Sequence, residues 1–127
     1  LISVKGKPLV WYSLKHVLQS TELDEIILVT QEKERPEFEE VVRSFHTQIP
    51  FIFANGGRTR SESVRNGLNR VSAASDKVLI HDGARPLVDG PFIDSVLNLV
   101  NEKVPAVVTG IPCVDTIKKV TPEGMVS

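Results

Sequence analysis

Asp24-Glu25-Ile26-Ile27-Leu28-Val29-Thr30 decides the fold class. Four consecutive apolar residues, three of them β-branched, follow two acids. An antiparallel strand with one wet face would alternate apolar and polar; this run does not. It reads as a strand buried on both faces, as in a parallel sheet covered by helices. Outward from it, Pro8 is placed as a first helical residue, with Val10, Leu14, Val17 and Leu18 at helical spacing. On the other side, Pro36 opens a helix whose apolar face is Phe38, Val41, Val42 and Phe45. Ile49 to Phe53 is a second strand, closed by the turn residues Asn55-Gly56-Gly57. Thr59 and Glu62 have capping-box spacing, ahead of Val64, Leu68 and Val71. Val78-Leu79-Ile80 and Ala106-Val107-Val108 read as third and fourth strands. Between them Asp89 caps a helix with Pro91 at its first position and Ile93, Val96, Leu97 and Val100 on its buried stripe. Thr116 to Val120 reads as extended and Pro122-Glu123-Gly124 as a turn.

Strands alternating with helices predict an α/β fold: a Rossmann-like three-layer sandwich with a mostly parallel sheet. The chain has 127 residues, which is one domain, and 41% hydrophobic content, which supports a core. A net charge of -1 gives no reason to expect nucleic acid or an anionic membrane as partner. No apolar run reaches the ~20 residues that a membrane helix needs, and no signal peptide is visible. The lone Cys113 has no partner for an internal disulfide. His16, His46 and His81 lack metal-ligand spacing. The chain opens at Leu1 without an initiator methionine and closes at Ser127 without a tail. Both ends read as cuts, so 1–127 is expected to be one domain truncated at each end.

In parallel sheets, ligands sit beyond the carboxyl ends of the strands. Three loops fall there. In His81-Asp82-Gly83-Ala84-Arg85-Pro86, a carboxylate and a guanidinium flank two small residues that let a ligand approach the backbone. The alternative is a local Asp82–Arg85 pair that stiffens a turn. His81 reads as structural, holding the loop. In Gly56-Gly57-Arg58-Thr59-Arg60-Ser61-Glu62-Ser63, glycines expose backbone groups before a helix N-terminus, which suits an anion or the edge of a base. It has neither P-loop nor dinucleotide spacing, and from the residues alone a plain turn with a capping box is the better explanation. Arg58, Arg60, Arg65 and Arg70 read as a solvated helix face. In Pro112-Cys113-Val114-Asp115-Thr116-Ile117-Lys118-Lys119, Thr116 and Lys118 offer phosphate contacts; the alternative is an edge strand guarded by lysines.

Together with Lys7-Pro8-Leu9-Val10-Trp11-Tyr12-Ser13-Leu14, these segments closely resemble the 2-C-methyl-D-erythritol 4-phosphate cytidylyltransferases of the non-mevalonate isoprenoid pathway. Asp82-Gly83-Ala84-Arg85-Pro86 with the later Asp115-Thr116-Ile117-Lys118 is the most specific match. The resemblance implies attack by a phosphate oxygen of methylerythritol phosphate on the α-phosphorus of CTP, with Mg²⁺ offsetting anion repulsion. It implies that Gly57 reads cytosine through its backbone, with Gly56, Arg58, Ser63 and Ala84 in the nucleotide site, although Arg58 stands where some relatives carry an acid. Asp82 is then the catalytic residue on this chain. It contacts substrate hydroxyls and lies near the metal, while Arg85 and Thr116 hold the sugar-alcohol phosphate. The family's glycine-rich triphosphate loop and its catalytic Arg and Lys would lie outside these residues, so this chain alone is expected to be inactive. A homodimer in the bacterial cytoplasm or plastid stroma is also implied. Ribitol-phosphate cytidylyltransferases are the near rival, and a non-catalytic α/β binding module is the rival outside enzymes.

Overall fold

A computed structural model describes residues 1–126. Its element order is β1 (Ser3–Val4), β2 (Lys7–Pro8), α1 (Leu9–Val17), β3 (Ile26–Thr30), a 3₁₀ turn (Glu32–Glu34), α2 (Arg35–Arg43), β4 (Phe51–Asn55), α3 (Arg60–Leu68) and α4 (Gly90–Leu99). β1 and β2 form a small antiparallel ribbon whose turn places Lys5 and Gly6 at positive φ. Pro8 ends that ribbon and stands just before α1, one residue earlier than its expected place inside the helix.

β3 and β4 pair in parallel, with Ile26 opposite Phe51 and Thr30 opposite Asn55, so the expected right-handed βαβ arrangement has its strands and its crossover helix α2. Ile26, Leu28 and Thr30 are buried on one face. Leu14 and Val17 of α1, Val41 of α2, and Ile93 and Leu97 of α4 complete the core, with Ile93 1% exposed. α1 and α4 are stitched at their ends: Asp94 accepts hydrogen bonds from the Ser20 hydroxyl and from the Thr21 N–H and hydroxyl. Gly90 makes that approach possible, because a Cβ there would lie 2.5 Å from the backbone O of Gln19 and N of Ser20.

The α/β class holds, but two expected strands do not form. Val78–Ile80 and Ala106–Val108 are in no ladder. Val78 is 49% exposed and Val108 94%. β-rich sequence becomes strand only when a neighbouring backbone accepts its hydrogen bonds. Residues 78–82 and Ile26–Val29 of β3 instead line a common cavity of ≈ 840 Å³. Past α4 the chain is held by single bridges, Asn101 with Val104 and Val120 with Val126. The second of these closes the expected Pro122-Glu123-Gly124 turn, where Gly124 takes φ +85°.

Candidate active site at the strand ends

The loop after β4 is shaped by its cap. The Thr59 hydroxyl accepts from the Glu62 N–H at 3.1 Å, and the Glu62 carboxylate accepts from the Arg58 N–H at 2.8 Å. This is a capping box displaced by one residue, since the side chain of Glu62 reaches Arg58 rather than Thr59. The Gly57 N–H donates to the Ser63 hydroxyl at 2.9 Å, and that hydroxyl donates to the Thr59 carbonyl at 3.0 Å. Gly56 donates its N–H to the Thr30 carbonyl, which ties the loop to the end of β3. Gly57 is required by space, whereas the obstacle at Gly56 is the movable end of a side chain. A Cβ on Gly56 would meet the Gln31 amide at 2.7 Å, and one on Gly57 would meet Glu62 Cβ at 2.5 Å. Gly57 and Ser63 are therefore bonded to each other and Arg58 to Glu62, while Gly56 is bonded to β3.

The loop after residues 78–80 is fixed from below and from within. The Arg85 N–H closes a turn on the Asp82 carbonyl at 2.9 Å. Ser13, buried on α1, donates its hydroxyl to the Gly83 carbonyl at 2.6 Å. The holding role expected of His81 thus belongs to Ser13, and His81 Nε2 is buried without a hydrogen-bond partner. Burial lowers the His81 pKa, against the raising effect of Asp82 and with a further lowering by Arg85, so the imidazole is neutral at neutral pH.

The Asp82 carboxylate lies between two guanidinium groups. Arg85 Nε stands 3.0 Å from Oδ2, and Arg60 Nη2 stands 3.0 Å from Oδ1. The local Asp82–Arg85 pair is real. It uses only Nε of Arg85, whose side chain is 71% exposed. Arg60 crosses from α3, so the loop after β4 meets the loop after residues 78–80. Sequence reasoning missed Arg60 and Ser13. Arg60 had no distinguishing signal among the helix arginines, whereas Glu62 had its capping spacing. Ala84 lies in the same turn, exposed beside Arg85. Thr116 is not brought in: it is exposed on the extended segment beyond α4, and among the described residues it has no hydrogen-bond partner.

A resident metal has little to bind here. No group of three His, Cys, Asp or Glu side chains converges among the described residues. Both oxygens of Asp82 face cations. A metal at Asp82 would have to displace a guanidinium, so these side chains do not form a ready metal site.

The model of the family described as 2-C-methyl-D-erythritol 4-phosphate cytidylyltransferase matches residues 1–127. A relative of that name from Dictyoglomus thermophilum is 34% identical over 120 residues, covering 94% of this chain and 52% of the relative. One from Prochlorococcus marinus is 36% identical over 126 residues, covering 99% and 55%. The chain thus spans about half the length of the curated relatives it matches. Among solved structures, 4-diphosphocytidyl-2C-methyl-D-erythritolsynthase from Anaerococcus prevotii superposes with a TM-score of 0.83 at 26% identity, covering 98% of this chain and 54% of that one.

Proposed function

Because this chain belongs to the 2-C-methyl-D-erythritol 4-phosphate cytidylyltransferase family, we propose that the protein it represents transfers the cytidylyl group of CTP to methylerythritol phosphate. A phosphate oxygen of the sugar alcohol attacks the α-phosphorus. The bond to the β-phosphate bridge breaks and pyrophosphate leaves, so charge and atoms balance. The observation that carries this reading is the Arg60–Asp82 contact at 3.0 Å, which joins the loop at the carboxyl end of β4 to the acid–arginine loop after residues 78–80.

The nucleotide is assigned to the Gly56–Ser63 loop. Gly57 spends its N–H on Ser63, so its carbonyl is the group it offers a base. A carbonyl accepts from the exocyclic amino group of cytosine and is repelled by the oxygen that uracil has in its place, which favours CTP over UTP. Asp82 accepts from substrate hydroxyls. The terminal nitrogens of Arg85 remain for the sugar-alcohol phosphate, with Thr116 reaching it from the later segment. Mg²⁺ would offset the repulsion between the two anionic substrates, and Asp82, flanked by arginines, is not a ready ligand for it. Val108, Ile111, Val114 and Ile117 are each 80% exposed or more along the extended segment. That apolar row supports a homodimer in which a second copy covers it. Among the described residues no helix is long and apolar enough to cross a membrane, and a cytoplasmic or stromal compartment is the one in which we place the reaction.

The test is pyrophosphate release by the full-length protein, with CTP and UTP each paired with methylerythritol phosphate and with ribitol phosphate. Release is expected with CTP and methylerythritol phosphate. No release, or faster release with ribitol phosphate, would overturn the reading.

A further inference from the structure

We propose that Arg60 is a positioning residue that orients the Asp82 carboxylate from the nucleotide loop, so that the two loops act as one unit. The proposal rests on the reading of Asp82 as the group that meets the substrate hydroxyls. Its ground is geometric. A carboxylate held at one oxygen can still turn about its last bond. Asp82 is ion-paired at both, with Arg85 Nε on Oδ2 and Arg60 Nη2 on Oδ1, each at 3.0 Å. The two holds differ in kind. Arg85 lies three residues on, inside the turn that it closes on the Asp82 carbonyl. It follows wherever that turn goes. Arg60 is the first residue of α3, directly after the Thr59 cap, and its backbone is set by the same bonds that shape the Gly57–Ser63 unit. Ser13 meanwhile fixes the backbone beside Asp82 through the Gly83 carbonyl. The plane of the carboxylate is therefore referred to the nucleotide loop on one side and to α1 on the other.

The pair is exposed, with 70% of the Arg60 side chain accessible against 34% for Asp82. Exposed pairs add little to stability. A positioning role should then be visible in turnover and nearly invisible in unfolding, which separates it from a structural one. Supporting side chains of this kind typically cost ten- to a hundredfold when removed in metal sites, so a loss of about tenfold is a fair expectation for an open site.

In the full-length enzyme, Arg60→Ala should lower kcat about tenfold while the KM for CTP and the Tm stay at wild-type values. Arg60→Lys, which keeps charge but has a single donor head, should recover part of the loss. In an Asp82→Asn background, Arg60→Ala should cost nothing more, because the group it orients is already gone. Multiplicative losses in the double variant would show that Arg60 acts on a ligand directly, and wild-type kcat in Arg60→Ala would show that it positions nothing. Either result overturns the proposal. Absence of cytidylyl transfer in the wild type would instead sink the functional reading. Arg60 is then judged by the backbone amide resonances of residues 82–85, which Arg60→Ala should shift and make more mobile. Unchanged resonances would refute the orienting contact itself.

Discussion

Gly57→Ala adds one carbon at the point where the proposed base site and the start of α3 share their bonds. That carbon would lie 2.5 Å from Glu62 Cβ and 2.8 Å from Cδ, with Cγ closer still. Carbon atoms rest at about 3.5–4.0 Å, so the conflict is about 1 Å. Glu62 Cβ is the atom that matters. A side-chain tip could swing away, but Cβ moves only with the helix. Either the first turn of α3 or the loop must yield, and the bonds at risk are Glu62 N–H to Thr59 and Arg58 N–H to the Glu62 carboxylate. Loss of a cap costs about 1 kcal/mol, giving about 2 kcal/mol for both. Removing a glycine from the unfolded chain returns about 0.4–1 kcal/mol. The net expectation is destabilisation by about 1 kcal/mol, a fall of about 0.5 M in the urea midpoint for a domain with an m-value near 2. Calorimetry on the full-length enzyme should show weaker CTP binding, since the Gly57 carbonyl moves with the loop. The control is Glu62→Gly, which deletes all three clashing atoms. In that background Gly57→Ala should be neutral or slightly stabilising. An equal loss in both backgrounds would refute the clash as the cause, and a Gly57→Ala variant as stable as wild type would refute the geometry of the loop.

Gly90→Ala should destabilise by about 1–3 kcal/mol, because its Cβ would meet the backbone of Gln19 and Ser20, which cannot rotate away; urea denaturation checks it, and wild-type stability would mean that α1 and α4 do not approach so closely. His81 has its folded-state pKa lowered from 6.5, mainly by burial. The unfolded chain therefore takes up the proton first, and stability present above 6.5 is lost as pH falls from there through the lower folded value. His81→Gln should flatten that part of the stability–pH curve, and an unchanged slope would show that another group causes it. Arg85→Lys keeps one charge but loses the fork, so the KM for methylerythritol phosphate should rise several-fold while that for CTP barely moves; equal effects on both would indicate a disordered loop instead.

What the sequence made legible follows the range of the physics involved. Caps are local, and Thr59 with Glu62 and the Asp89 cap appear where their spacing put them, Pro91 standing second in the helix rather than first. The β3–β4 pair was legible because each strand is an apolar run with its partner one helix away. Val78–Ile80 and Ala106–Val108 carry the same signature and form no ladder, because strand character belongs to a pair and a run of side chains cannot report whether a partner edge is present. The site divides in the same way. Asp82 and Arg85 could be singled out from their shared loop, whereas Arg60 could not be told from Arg65 or Arg70 until the fold brought it to Asp82. Thr116 could be singled out only as one of two readings of its segment, and the bonds of this chain do not hold it near the others.

The Asp82 loop also shows that its two readings were never exclusive. A turn-stiffening ion pair and a substrate site looked like competitors because each seemed to need the whole arginine. The pair consumes only Nε and leaves the far end of the guanidinium outside the contact, on a side chain 71% exposed. An Arg whose Nε is anchored by a carboxylate has lost much of its rotamer freedom before any ligand arrives. The entropy of ordering it is then spent in folding the turn rather than in binding, which is how preorganisation raises affinity. On that view the structural pair is a condition for Arg85 to hold a phosphate. Asp82→Asn should accordingly weaken phosphate binding through Arg85 as well as disturb its own contacts to hydroxyls, and both effects should appear in the KM for the sugar-alcohol phosphate.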